Sequence, residues 1–134
     1  MPTAGDLWQR YADDVRALVH EVRARHAVDE ARMYLTGFSY GGNGVFDLGL
    51  TQSELWAALW AVDPTRVPRE APVQPLWLCA GEVARAQRRV FMRVLALGEH
   101  DTRVWADNGD DHVGSALAAY GDERIYRWLL RHTH

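Results

Sequence analysis

Apolar side chains recur at Leu7, Tyr11, Val15, Leu18, Val19 and Val22, with Arg10, Asp13, Asp14, Arg16, Glu21 and Arg23 mostly opposite them. That spacing is one stripe of an amphipathic helix and predicts a helix capped by Asp6 and fading around 26–29. The short run Met33-Tyr34-Leu35-Thr36 reads as a strand, and Val45, Phe46, Leu48 and Leu50 mark a helix over 44–52. Leu55 to Val62 is continuously apolar. Periodicity alone does not separate a buried strand from a buried helix there, but Asp63-Pro64 stops the run and favours a strand ending at Val62. Pro64, Pro68 and Pro72 make 65–74 a loop. Leu76 to Ala80 is a second apolar run of strand length, closed by Gly81-Glu82. Residues 85–97 repeat a helical pattern through Val90, Phe91, Val94, Leu95 and Leu97, and 102–106 carry Val104 and Trp105 on a short strand. A polar loop over 107–114 holds His112, and two helices, 115–120 and 122–131, close the chain.

Helices interleaved with four strand candidates predict an α/β fold: a short parallel sheet of about four strands with flanking helices. Right-handed crossovers would put those helices on both faces. No repeat, low-complexity tract or linker interrupts residues 1–134, so a single domain is expected. The 134 residues suffice for a core, and 48% hydrophobic with 25% charged residues is ordinary for a globular chain. A net charge of -3 offers no electrostatic case for nucleic acid or an acidic membrane surface. Cys79 is the single cysteine, so no internal disulfide forms and nothing implies secretion. With no leader pattern and no apolar run of about 18 residues, a soluble cytoplasmic protein without cofactor or metal is expected.

The chemistry centres on Gly37-Phe38-Ser39-Tyr40-Gly41-Gly42, set between the first strand and the helix after it. A Gly-x-Ser-x-Gly turn in that context lifts a serine hydroxyl clear of the sheet as a nucleophile. Glycines two before and two after the serine are expected because a Cβ there would collide with the neighbouring strand or helix. A phosphate-cradling loop is excluded: all fifteen basic residues are arginines, and that mechanism needs a lysine.

Ser39 needs a base. Of the histidines, His20 and His26 precede the turn, His132 and His134 are terminal, and His100 lies before the fourth strand. His112 follows that strand, and loops after parallel strands gather at the sheet edge that displays Ser39. The third group must orient the imidazole. Asp63 and Glu82 each follow an apolar strand and satisfy the chain order serine, acid, histidine; Asp63 is preferred as the shorter and commoner partner. Asp110 and Asp111 flank His112 too closely in sequence to reach its ring from the usual direction. The Tyr40 amide would supply one oxyanion donor. No strand precedes the first helix to supply the second.

These residues resemble the α/β-hydrolase superfamily, particularly bacterial esterases of the feruloyl-esterase, dienelactone-hydrolase and predicted-peptidase kind. Arg32 to Gly42 is similar to their R-x-Y-L-T-G-x-S-x-G-G stretch, and Asp111-His112-Val113-Gly114 with Trp128-Leu129-Leu130 is similar to their histidine loop and closing helix. Nearly the whole chain resembles the C-terminal half of such an enzyme, a minimal or truncated α/β-hydrolase. The resemblance implies an acid a few residues after the third strand, where this chain has Val83, Ala84 and Arg85; Glu82 is one substitute. Val62-Asp63-Pro64 instead resembles the pancreatic-lipase arrangement.

The resemblance implies a serine carboxylesterase that attacks small esters through Ser39, with His112 as proton shuttle, Asp63 or Glu82 as orienting acid and the Tyr40 amide on the oxyanion. No long insertion provides a lid, which fits small or exposed esters, and six tryptophans are available for an aromatic pocket or the core. A degenerate hydrolase serving as a binding module, or one half of a split hydrolase, is the alternative. The family's first four strands have no counterpart, so one edge of the Met33–Thr36 strand would be open. An open edge templates further pairing, and a homodimer is expected to cover it.

Overall fold

The computed structural model describes residues 8–134. Asp6, the expected helix cap, and Leu7 of the first stripe lie outside the described residues. A single 3-10 turn, Gln9–Tyr11, leads into α1 (Ala12–Arg25). There follow β1 (Tyr34–Phe38), α2 (Tyr40–Thr51), β2 (Ala58–Val62), β3 (Leu76–Ala80), α3 (Glu82–Arg85), α4 (Arg88–Leu95), β4 (Arg103–Asp107), α5 (His112–Tyr120) and α6 (Glu123–Leu130). The strands form one parallel sheet in the order β1-β2-β3-β4.

Residues alternate across this sheet because strand side chains have a period of two. Leu59 and Ala61, with Leu76, Leu78 and Ala80, face one side and pack with Val45 and Phe46 of α2 and Phe91 and Leu95 of α4. Ala58, Trp60, Val62 and Cys79 face the other and meet Ala119 of α5 and Ile125, Trp128 and Leu129 of α6. Burial on both faces explains why β2 and β3 read as unbroken apolar runs.

Between β2 and β3, residues 63–75 form no helix, in keeping with the loop that Pro64, Pro68 and Pro72 predict. Polar contacts seat this connection against α2. Buried Asn43 Oδ1 accepts from the Thr65 and Arg66 amides at 2.9 and 3.2 Å, and the Arg66 guanidinium bridges both oxygens of buried Asp47 at 2.9 and 3.0 Å. Gln74 donates to the Gly49 carbonyl at 2.9 Å.

Three element boundaries move for identifiable reasons. Helix α2 starts directly after Ser39 and not at Gly44, because the elbow turns straight into it. The helix expected over 85–97 is two helices, α3 and α4, broken at Ala86-Gln87. Helix α5 starts at His112 and not at Ser115, since the Asp111 side chain caps it by accepting from the Gly114 amide at 2.7 Å.

Strand β1 lies at the sheet edge. Ser39 donates to the Val62 carbonyl and Ala57 to that of Met33, so every second residue from Met33 faces β2. The amides and carbonyls of Tyr34, Thr36 and Phe38 face the other way, where no strand pairs with them among the described residues. The side chains there are engaged: the Tyr34 hydroxyl donates to the His132 carbonyl at 2.8 Å, and the Thr36 and Tyr120 hydroxyls lie 2.9 Å apart. Of the first helix's stripe, Val15 and Val19 pack on the core while Tyr11, Leu18 and Val22 stay exposed.

The registers Phe38↔Val62 and Val62↔Cys79, and Ala80 with Asp107, bring the strands' C-terminal ends level. Whatever follows β1, β2, β3 and β4 therefore emerges along one edge.

Candidate active site

Ser39 follows β1 with φ 62° and ψ −119°, a left-handed turn between strand and helix. A non-glycine residue held there costs about 1–3 kcal/mol. The Ser39 amide donating to the Val62 carbonyl at 2.9 Å and the Asn43 amide donating to the Ser39 carbonyl at 3.2 Å hold it. Gly37 is required by packing, since a Cβ would stand 2.2 Å from the Gly41 carbonyl oxygen. Gly42 is tight, with the Pro64 Cα 3.2 Å from such a Cβ. Gly41 is not: a Cβ there meets nothing within 4 Å, which corrects the expectation that both flanking glycines avoid a collision. Helix α2 leaves in a direction that clears position 41 and closes on position 37.

Asp63 follows β2 in the left-handed region, φ 39°, and is wholly buried. One carboxylate oxygen accepts from the amides of Gly81 at 2.8 Å and Ala84 at 2.7 Å; the other accepts from Val83 at 3.3 Å and stands 2.5 Å from His112 Nδ1. The amides belong to the start of α3, whose unpaired N–H groups and positive end favour an anion. His112 Nε2 lies 3.0 Å from Ser39 Oγ, and its ring stacks on Phe38 at 4.6 Å between centroids. A three-group relay, Ser39–His112–Asp63, therefore spans the strand ends. With a carboxylate against Nδ1, the tautomer that carries its proton there is favoured, and Nε2 is then the acceptor facing Ser39 Oγ.

Glu82 does not reach the ring. It accepts from the His112 backbone amide at 3.0 Å. Asp111 caps α5, and the Asp110 carbonyl accepts from Arg85 at 2.9 Å. Tyr40 is exposed, and as the first residue of α2 its amide has no carbonyl one turn back. Trp8 Nε1 donates to the Tyr40 carbonyl at 2.8 Å. His100 bonds Thr102 and His132 packs on Trp128, where burial pushes its pKa down; neither joins the relay. Trp56, Trp60 and Trp128 are core residues.

Sequence reasoning missed Arg85. Its guanidinium meets both oxygens of Asp107 at 2.7 and 2.8 Å, holding that carboxyl below the usual carboxylate range. The one signal was an arginine at the place where the resembling esterases carry their acid. The Phe38–His112 stack had no sequence signal beyond adjacency to Ser39. Among the described residues no cluster of three or more His, Cys, Asp or Glu is arranged to hold a metal. No helix among them is long and apolar enough to cross a membrane.

The sequence model described as "Prolyl oligopeptidase family" matches residues 3–70, about half the chain, including Ser39 and Asp63. No curated protein matches. The solved structure titled "Crystal Structure of a Thermostable Esterase" superposes with a TM-score of 0.74 at 22% identity, over 90% of this chain and 36% of that one. At that identity the likeness is one of fold: this chain is an α/β structure corresponding to part of an α/β-hydrolase, and spans about a third of the esterase's length.

Proposed function

The chain belongs to the prolyl oligopeptidase family of serine hydrolases, and from that premise we propose that it hydrolyses small carboxylic esters through an acyl-enzyme. Ser39 Oγ attacks the ester carbonyl while His112 Nε2 takes its proton. Asp63 keeps the imidazole in register and stabilises it once charged. The Tyr40 amide donates to the developing oxyanion. Collapse of the tetrahedral intermediate releases the alcohol, which takes the proton from His112. Water, activated by the same histidine, then releases the acid and restores Ser39.

The observation that carries this reading is the relay itself: 3.0 Å from Ser39 Oγ to His112 Nε2, and 2.5 Å from His112 Nδ1 to Asp63. A fluorophosphonate probe tests it. Labelling is expected at Ser39, abolished in Ser39→Ala and slowed in His112→Ala. An intact, folded protein that takes no label overturns it.

One observation favours a second reading, a catalytically silent interaction module or one half of a split hydrolase. Beside the Tyr40 amide, no second oxyanion donor is identified among the described residues. Removing one such donor costs about 10²–10³ in kcat, so the two readings separate on rate: a slow but Ser39-dependent turnover supports the esterase.

A further inference from the structure

We propose that Arg85 is a positioning residue that sets the His112 loop for proton transfer, acting together with Asp107. The inference rests on the Ser39–His112–Asp63 reading and adds to it a group the relay does not contain.

His112 arrives on a segment, residues 108–111, between the end of β4 and the start of α5. Nothing in that segment is a strand or helix, so its path has to be set by contacts from outside. Two are found on α3. Glu82 accepts from the His112 amide at 3.0 Å. Arg85, one turn on, meets both oxygens of Asp107 and donates to the Asp110 carbonyl at 2.9 Å. A planar guanidinium presents several donors in fixed directions, so one group can pin the strand end and the loop together; an ammonium cannot reproduce that. Asp107 completes the anchor by accepting from the Gly109 amide at 2.8 Å.

The amides of Gly81, which caps this short helix, and of Val83 and Ala84 within it are turned onto Asp63. Helix α3 therefore holds the acid with its first amides and the histidine loop with its Glu82 and Arg85 side chains. The distance between His112 Nδ1 and Asp63 becomes a property of α3. This also gives the break at Ala86-Gln87 a physical sense: Arg85 is turned to Asp107, while α4 begins afresh and buries Phe91 and Leu95.

The test compares Arg85→Met, Arg85→Lys, Asp107→Asn and the Arg85→Met/Asp107→Asn double variant with the wild type. Readouts are ester kcat and KM, thermal midpoint, and the downfield NMR signal of the His112 Nδ1 proton. Misplacement of a reacting group by about 1 Å costs about 10²-fold. Arg85→Met is expected to lower kcat by ~10- to 100-fold with KM within about twofold, and to broaden or remove the Nδ1 proton signal. Arg85→Lys should fall between Arg85→Met and wild type. Asp107→Asn should lower kcat less than Arg85→Met, since Arg85 keeps the Asp110 carbonyl and the Asn Oδ1 can still accept, and the double variant should lose less than the product of the two singles, because both act on one anchor. An Arg85→Met protein with kcat within twofold of wild type and the Nδ1 signal intact overturns the proposal. So does a double variant in which the losses multiply. If the wild type shows no ester turnover, the esterase reading fails instead, and the Nδ1 signal still decides the clamp.

Discussion

Replacing Asp63 by Asn keeps the shape of the site and changes one atom. The structure dictates which way the new amide must turn. With its NH2 toward Gly81 and Ala84, whose amides stand 2.8 and 2.7 Å from that oxygen, two buried N–H groups would be orphaned at about 1–3 kcal/mol each. With its NH2 toward Val83 and His112, only the long 3.3 Å bond is lost on the backbone side. The second orientation wins by a few kcal/mol. It presents an N–H donor to His112 Nδ1, which must then accept, and that moves the imidazole proton to Nε2, facing Ser39 Oγ. The base is gone although every atom is in place. The expected loss is about 10⁴-fold in kcat, equal to about 5.5 kcal/mol of barrier, with a stability loss of only about 1.5–3 kcal/mol. Glu82→Gln is the control. Its Oε1 can still accept from the His112 amide, so kcat should stay within a few-fold. The assay is steady-state hydrolysis of a chromogenic short-chain ester beside thermal unfolding of each protein. Asp63→Asn within tenfold of wild type, or Glu82→Gln as damaging as Asp63→Asn, would refute the reasoning.

Gly37→Ala should abolish folding or activity, since its Cβ would lie 2.2 Å from a backbone oxygen, whereas Gly41→Ala should retain both; circular dichroism and probe labelling compare the two, and equal damage would contradict the geometry. Acid should unfold the protein in a defined direction. The carboxyls of Asp107 and Asp122 are held below their ordinary range chiefly by hydrogen bonds from Arg85 and Arg124, so the stability they contribute is present above about pH 4 and lost as pH falls through their lowered values. His132, pushed down chiefly by burial, adds a loss that begins below the ordinary histidine range near about 6.5; a midpoint that rises on acidification in a thermal-melt series from neutral to acid pH would count against both. Among the described residues no strand pairs with the outer edge of β1, and Tyr11, Leu18 and Val22 are exposed, from which we propose a homodimer. Sedimentation of a monomer at micromolar concentration would remove that expectation.

Much of the site was legible from local patterns. Gly37 to Gly42 reads as a strand-to-helix turn whatever surrounds it, because the steric demand of that turn acts within a few residues. His112 was selected by its place after the last strand, which is a consequence of parallel pairing and not of its neighbours in sequence. The choice between Asp63 and Glu82 was only weakly legible, through the preference for the shorter acid. Both follow apolar strands, one after β2 and one after β3. Chain order allows either one. What separates them is the direction in which each side chain leaves the sheet edge. Asp63 turns inward at φ 39° to meet the amides of α3, while Glu82 stands on α3 itself and reaches the histidine backbone. Boundaries around 40–44, 85–88 and 112–115 were misread for a related reason. At each, a turn, a helix break or a side-chain cap decides, and none changes the apolar periodicity.

The sequence by itself determined the alternation of apolar runs, hence a parallel α/β sheet covered on both faces, and it determined the elbow that exposes Ser39. These follow from propensities and packing periods acting over a few residues at a time. Only the tertiary structure decided which acid faces His112, that Gly41 is sterically free, that the β2–β3 loop is seated on Asn43 and Asp47, and that Arg85 ties the histidine loop to the end of β4. Each of those depends on residues 19 to 49 positions apart meeting in the folded chain, or on the path the chain takes through the site, and neither is written in any local stretch.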